Sequence, residues 1–426
     1  MRALARAEPG WFLDDRLAAF ARFTALEWPD PSSEEWRYTD LKGFDLNNFA
    51  PPTEPLPLAD NLDGVPEHVL AAMGDVWERD GLAIQIDGTV VHRRLADPLA
   101  NKGVIFCDLA TAAREHEDLL KDVIGTVGVP ASEEKFATLA SAFAAGGTFV
   151  YVPRGVDVTL PLHAFRWLET PGVLAAARTI IVAEESSSVT YIDHYASPDA
   201  TTAISIGLVE IHARQAANIS YLSVQDHGPD MYHFNIQRGE VRRDATLRSL
   251  AATLGGKVSR SVVESMLVEQ GASAEMLGVY FADGDQHFDH RSLQEHSAPN
   301  TTSELLYKGA LKGESRAVYS GLIHIAKDAQ KADAVQTNRN LILSDHAKAD
   351  SIPYLEIEAN DVRCAHGASV GPVDDNQLFY LQSRGLDADE AEDLIVRGYF
   401  QEILDRVRVP EVRAALERAV EAELKA

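Results

Sequence analysis

Two residues near the end of the chain join a soft sulfur to an imidazole at a spacing of two. They are Cys364 and His366, in the stretch Leu355 to Gly385. Side chains two apart on a strand share a face, so the pair would offer both ligand types to one point. That combination suits a transition metal or a metal cluster. Leu355, Ile357, Val362 and Cys364 read as strand, Gly367 and Gly371-Pro372 read as breakers, and helical sequence begins after Asp374. The pair is therefore expected at the last rung of a β-structure, beside a domain boundary. The plainer reading makes Cys364 a small packed hydrophobe and His366 a hydrogen-bonded structural residue. Taken alone, the two residues leave both readings open.

A second cluster holds Asp285, His287, Asp289 and His290, with His296 further on. On a strand, His287 and Asp289 share one face and His290 takes the other, so one metal cannot collect them without a bend. A structural or interface role is expected. The sequence has no G-x-x-x-x-G-K-[ST] loop, no G-x-G-x-x-G after a strand and no G-x-S-x-G elbow. ATP-driven work would need another subunit.

The only cysteines are Cys107 and Cys364, with no C-x-x-C, which excludes a four-thiolate cluster or structural zinc site within one chain. A metal cluster would have to share its ligands with a second chain. Of 426 residues, 46% are apolar, enough for two or three domains, and no apolar run reaches 18 residues. The formal charge of −26 opposes nucleic acid and anionic lipid as partners. The expectation is a soluble protein of a reducing cytoplasm, without a secretory leader.

The elements that must position these residues fall into three regions: 1–147, 148–373 and 374–426. The first reads as α+β. Leu13, Leu17, Phe20 and Thr24 mark a helix ending at Trp28-Pro29, and Ser32 with Glu35 suggests a capping box opening a second turn or helix. After a proline-rich connector at Pro51 to Pro57, Leu82–Ile86, Asp87-Gly88 and Thr89–His92 form a hairpin pattern. Helices are expected at Leu109–Ile124 and Glu133–Phe143, the second closed by Gly146-Gly147.

From Thr148 the pattern is strand-rich for over two hundred residues. Similar segments recur, and their first large apolar residues, Val189, Ile219, Leu247, Met276, Leu305 and Val335, stand 30, 28, 29, 29 and 30 apart. A second set begins near residues 206, 261, 317 and 341. Such a repeat fits a parallel β-helix, each coil burying its inner face against the next. A large β-sandwich is the alternative, but this region offers few hairpin turns. Beyond Gly385, Asp387 with Glu390 marks an N-cap, and Ala391, Leu394, Ile395, Tyr399 and Ile403 follow one helical face. A last amphipathic helix follows Pro410. Helices in this place either cover the open final coil or present a partner groove, and covering is the commoner role.

Several stretches together resemble the SufB/SufD family of iron-sulfur cluster assembly proteins. They are Trp36–Leu41, Phe149–Gly155, Gln286–His290 with Ser297–Asn300, Asn338–Ser344, Val362–Gly371 and Leu378–Gly385. The Cys-x-His-Gly-Ala form at Cys364–Ala368 and the poverty in cysteine place the resemblance nearer the SufD branch. The resemblance implies a mainly β chain, a right-handed parallel β-helix with N-terminal α+β and C-terminal helical domains. It implies a non-enzymatic scaffold that pairs with a SufB-like paralogue and binds a SufC-like ABC ATPase through its C-terminal helices. Leu378, Phe379, Tyr380, Arg384, Leu394, Tyr399 and Phe400 would carry that docking. His366 would be the metal ligand toward a nascent cluster or iron, with Cys364 either a second ligand or a packing residue. No cofactor would be held stably, and ATP would enter only through SufC. Two rivals remain on sequence grounds: a homodimer joined through the same strands, including a SufB-like homodimeric scaffold, and a polysaccharide-acting β-helix enzyme, for which no carboxylate pair stands out.

Overall fold

The computed structural model describes residues 8–54, 56–74, 78–127, 134–143 and 147–425. Its centre is a β-solenoid whose coils alternate between two sheets, one of ten strands and one of nine. Within each sheet the solenoid strands run parallel and in continuous register. Every coil before the last turns one corner through a left-handed residue, at Gly155, Ser186, Ala216, Asp244, Gly271, Asn300 and Lys331. A side chain in that conformation costs about 1 kcal/mol or more, so stacking holds Ser186 and Ala216 there. The amide of each corner reaches the next coil: Ser186 N–H donates to Gln215, Ala216 to Arg243, and Asn300 to Gln330.

The apolar column expected from the spacing is present but changes register. Val189, Ile219 and Leu247 are direct neighbours across strands, and the column then continues through Ala274, Ser303, Ala334 and Cys364. Met276 and Leu305 pair with each other two positions along, still on the inner face and fully buried. Val335 pairs with Glu304, faces the other way and is 39% exposed, which corrects its assignment to the inner column. A shift of one residue exchanges the faces of a strand, whereas a shift of two does not. The segment beginning near 341 is likewise not a strand of the second set. It closes the strand Asp333–Ile342 and turns the corner.

The terminal regions pack on the outer faces of the sheets, the N-terminal one on the nine-stranded sheet and, through Val65, Val69 and Met73, on the first strands of the ten-stranded sheet. Trp36, Leu41, Phe136 and Leu139 pack on Ile204, Ile206, Phe234 and Ile236 of the nine-stranded sheet, with the Phe136 and Phe234 rings stacked 3.7 Å apart. On the ten-stranded sheet, Val396, Phe400, Leu404, Leu416 and Val420 pack on Leu222, Leu250, Leu277 and Leu306. The C-terminal helices Ala388–Leu404 and Pro410–Lys425 therefore lie along the side of the solenoid. They do not cover its last coil, contrary to the commoner role for such helices. Asp387 and Glu390 do form the expected capping box.

The N-terminal region is less separate than its sequence suggests. Its hairpin, Gly81–Ile86 and Thr89–Leu95, turns through Asp87 and Gly88, both with positive φ, and extends the ten-stranded sheet. The strand Ile105–Asp108 ends the other sheet antiparallel to Thr148–Val152. The helix Gly10–Ala25 buries Phe12, Arg16 and Ala19 and leaves Phe20 and Thr24 exposed, so its buried face is not the expected one. Asp30 rather than Ser32 organises the next segment, accepting from Ser32 N–H at 2.8 Å, and turns rather than a helix follow. The expected helix from Leu109 is broken at His116. Glu133 and Gly146 lie outside the described residues.

Candidate assembly interface at the open end of the solenoid

Both sheets end on the same coil. The strands Lys348–Ile357 and Arg363–Pro372 each pair on one side only, with Arg316–Ile325 and Asp333–Ile342 respectively. Two ten-residue edges are thus left with unpaired backbone groups at one end of the molecule. Long uncovered edges are templates for pairing with a strand of another chain. Tyr354, Leu355, Ile357 and Val370 add exposed apolar surface to this coil.

Cys364 and His366 lie in one of these edge strands. Gly367 and Gly371 do not break it: the strand runs to Pro372, and the strand holding Leu355 and Ile357 belongs to the opposite sheet. Cys364 continues the inner column above Ala334, and His366 stands two positions along above Gln336, so both take inward positions on a coil with nothing stacked on it. Cys364 is half-buried against the small apolar cluster of Ile325, Ala329 and Ala332, and burial raises its thiol pKa. His366 is exposed. Among the described residues no three His, Cys, Asp or Glu side chains are placed to hold one metal ion. The pair offers two ligands, and any further ligands must come from outside this coil.

The second sequence cluster divides as the alternation requires. His290 and His296 face the interior, and His296 is held by Thr301 Oγ1 and Ser303 Oγ, each at 2.7 Å. His287 and Asp289 face outward to meet the segment Trp36–Thr39. Thr39 Oγ1 donates to Asp289 Oδ2 at 2.6 Å and lies 3.1 Å from His287 Nε2. Arg260 is ion-paired to Asp289, and its guanidinium carbon lies 4.0 Å from the Trp36 ring centre. Burial alone would raise the Asp289 pKa, but Arg260 and Arg291 hold it below the usual carboxylate range. Two of the stretches that carried the family resemblance are therefore two halves of one latch. A third, Asn338–Ser344, supplies an interior ladder: Asn340 Nδ2 donates to Asn338 Oδ1 at 2.8 Å, as does Ser351 Oγ at 2.6 Å.

The proposed docking residues separate sharply. The helix Asp375–Ser383 has no buried residue, and Phe379 and Tyr380 are 73% and 56% exposed. Arg384 and Leu394 are exposed and Leu378 is half-buried. Phe400 is fully buried against the sheet, and Tyr399 donates its hydroxyl to the Arg339 carbonyl at 2.6 Å. Phe400 thus serves the chain's own packing, while Tyr399 stays half-buried beside it.

Such geometry belongs to the class of β-solenoid subunits whose final coil is left open. Comparison with known proteins gives the family. The model of the SufBD core domain of SUF system FeS cluster assembly matches residues 166–399, and that of the SufBD protein N-terminal region matches 3–163. An iron-sulfur cluster assembly SufBD family protein of Staphylococcus haemolyticus is 30% identical over 404 residues, covering 93% of this chain and 86% of that protein. One from Staphylococcus aureus is 30% identical over 402 residues, covering 92% and 85%. The chain belongs to the SufBD family of iron-sulfur cluster assembly proteins. None of its described helices is long and apolar enough to cross a membrane.

Proposed function

We propose that the chain is a SufD-like scaffold subunit that joins a SufB-like paralogue through its open final coil. The observation that carries this reading is the pair of free ten-residue edges at one end, with His366 and Cys364 on the inward side. A partner strand added to each edge would continue both sheets and enclose the two residues at the seam. The nascent cluster is cargo there, bound by His366 and by ligands of the partner. An imidazole contribution in place of a fourth thiolate suits a cluster that must leave again. The chain itself is read as a non-enzyme of the cytoplasm, with ATP entering through a SufC-like ATPase docked on Phe379 and Tyr380.

Anaerobic mixing with SufB-like and SufC-like proteins, followed by mass measurement, tests the proposal. A complex containing all three chains is expected. A chain that stays alone, or that only dimerises with itself in the presence of the paralogue, would overturn the pairing. The same free edges also serve the homodimer, so the isolated chain is expected to self-associate weakly until the paralogue displaces the second copy.

A further inference from the structure

The interior of the solenoid contains a group of polar side chains that the packing does not explain. His233 lies on the inner face of the strand Tyr232–Val241, between Ser205 and Ser259 in register. Both its ring nitrogens are buried without a hydrogen-bond partner. His227, at the corner after the strand Asn218–Asp226, is also buried. Its ring nitrogens also lack a hydrogen-bond partner, and its ring centre is 5.3 Å from that of His233. The Tyr195 ring lies 5.0 Å from His233 and 6.3 Å from His227.

Gly207 has no side chain here because the place of a Cβ is taken: it would lie 2.3 Å from Asn235 Oδ1 and 3.0 Å from Tyr195 Oη, so both oxygens pack close together over this glycine, near the rings. Asn235 Oδ1 is itself buried without a partner. A buried polar atom left unpaired is costly, and where several gather in one place a shared water or ion is a usual explanation.

The chemistry of the group favours a metal ion. Burial keeps both imidazoles neutral, pushing His233 down to about 3 and His227 well below its ordinary value, so their lone pairs are free at physiological pH. Two imidazoles sharing one tetrahedral ion, at metal–nitrogen distances of about 2.1 Å, hold their ring centres roughly 5 Å apart. The observed separation agrees. Imidazole nitrogen with amide and phenol oxygen suits first-row divalent ions rather than calcium or magnesium.

We propose that His227 and His233, completed by Asn235 Oδ1 and Tyr195 Oη, form an internal site for one divalent first-row transition-metal ion. The site is four to six coils from Cys364 and His366, roughly 20–30 Å at the usual strand spacing. It does not depend on the scaffold reading.

Cobalt(II) alone serves as the probe, added to the full chain carrying Cys364→Ser and His366→Ala so that the terminal pair is silent. One equivalent is expected to bind with visible d–d absorption, and X-ray anomalous scattering should place it between the two rings. His227→Ala and His233→Ala should each weaken binding about tenfold or more, as loss of an ion's direct or supporting ligands does. Asn235→Ala provides a milder variant, and circular dichroism checks that each protein is folded. His290→Phe, which removes another buried histidine with unpaired nitrogens, should leave the one equivalent intact. Equal cobalt binding by folded His227→Ala/His233→Ala protein, or a crystal soaked in cobalt with only ordered water at the rings, would overturn the proposal.

Discussion

His366 stands directly over Gln336 in the register of the ten-stranded sheet, yet Gln336 is fully buried and His366 is exposed. The two positions differ only in what lies above them. Gln336 has a coil stacked on it, and His366 awaits one. Gln336 Oε1 also lacks a hydrogen-bond partner, so the interior directly beneath His366 is polar. A strand from another chain, laid on the Arg363–Pro372 edge, would turn an exposed imidazole into an enclosed one beside that polar interior.

Chemistry at this position should separate from assembly. His366→Ala should leave complex formation near normal, since a single imidazole rarely dominates a large interface, while cluster formation falls sharply. Cys364→Ser should be milder, because the thiol packs against Ile325, Ala329 and Ala332 and burial holds it protonated. Reconstituted complexes, followed by cluster absorption and by mass, check both. Full cluster assembly by His366→Ala would make this chain a purely structural partner.

Charges on the free edge should have the opposite signature. Val370 is 46% exposed on an inward position of the last coil, and Ile357 is exposed in the other edge strand. Val370→Lys and Ile357→Lys should leave the isolated chain folded with an unchanged melting temperature. In the complex they would bury an unpaired ammonium, which should cost about 2 kcal/mol or more, near a thirtyfold loss of affinity. Analytical ultracentrifugation against the paralogue measures it, and unchanged affinity would place the interface elsewhere.

The interior register is testable by contrast. Leu305→Ala removes a fully buried side chain and should cost about 2–5 kcal/mol. Val335→Ala, on the outer face, should stay within about 0.5 kcal/mol. Denaturant melts of the two variants give the comparison, and equal losses would contradict the assigned faces.

That contrast also shows what the sequence could reveal. Coils of nearly thirty residues are legible because each places a large apolar residue inward at a similar distance from the last. They are legible only to within two residues, because Ala274 and Ser303 stand in the column where larger residues stood before. Small residues carry no signal of direction, so the large apolar residues point instead to Met276, then Leu305, and finally to Val335 on the opposite face. The Cys364/His366 pair was legible as an alternation, but its place on an uncovered coil was not. Amphipathic helices announce that they must cover something, and only packing shows that Val396, Phe400 and Leu416 cover the side of the solenoid. The latch between Thr39 and Asp289 spans 250 positions, and single-sequence periodicity is blind to such pairs.

The helix Lys135–Phe143 should make stability depend on pH through Glu134. Its carboxyl pKa is pushed up to about 7, chiefly by burial, with Arg260 opposing. A raised carboxyl pKa means that the folded state holds its proton more tightly than the unfolded one. Its contribution is therefore fully present below the ordinary carboxylate pKa, near 4, and is lost as pH rises toward and past 7. Glu134→Gln keeps an acceptor for the Ala137 amide, now met at 3.0 Å, without the buried charge. The variant should match the parent below about pH 4 and melt progressively higher than the parent from pH 5 to pH 8. A melting-temperature difference that does not grow with pH would contradict the assignment.

The ATPase-docking surface can be tested without dismantling the fold. Removing everything beyond residue 386 would also strip Val396, Phe400, Ile403, Leu416 and Val420 from the ten-stranded sheet and expose a large apolar face. Loss of binding in that truncation would not distinguish docking from misfolding. Phe379 and Tyr380 avoid the difficulty, because the helix that carries them buries no side chain and contributes little to the core. Exposed aromatic residues on a projecting helix are the usual anchors of a helix-in-groove contact, and such anchors commonly carry 2 kcal/mol or more of binding. Phe379→Asp and Tyr380→Asp should therefore keep the parent circular dichroism spectrum and melting temperature, keep pairing with the paralogue, and lose about thirtyfold or more in affinity for the SufC-like subunit. Phe400→Ala should do the reverse, lowering the melting temperature first because it opens a cavity beneath the helix. Calorimetric titration with the ATPase and a thermal melt of each variant read the two effects separately. If both aspartate variants bind the ATPase as the parent does, docking lies on another face of the chain.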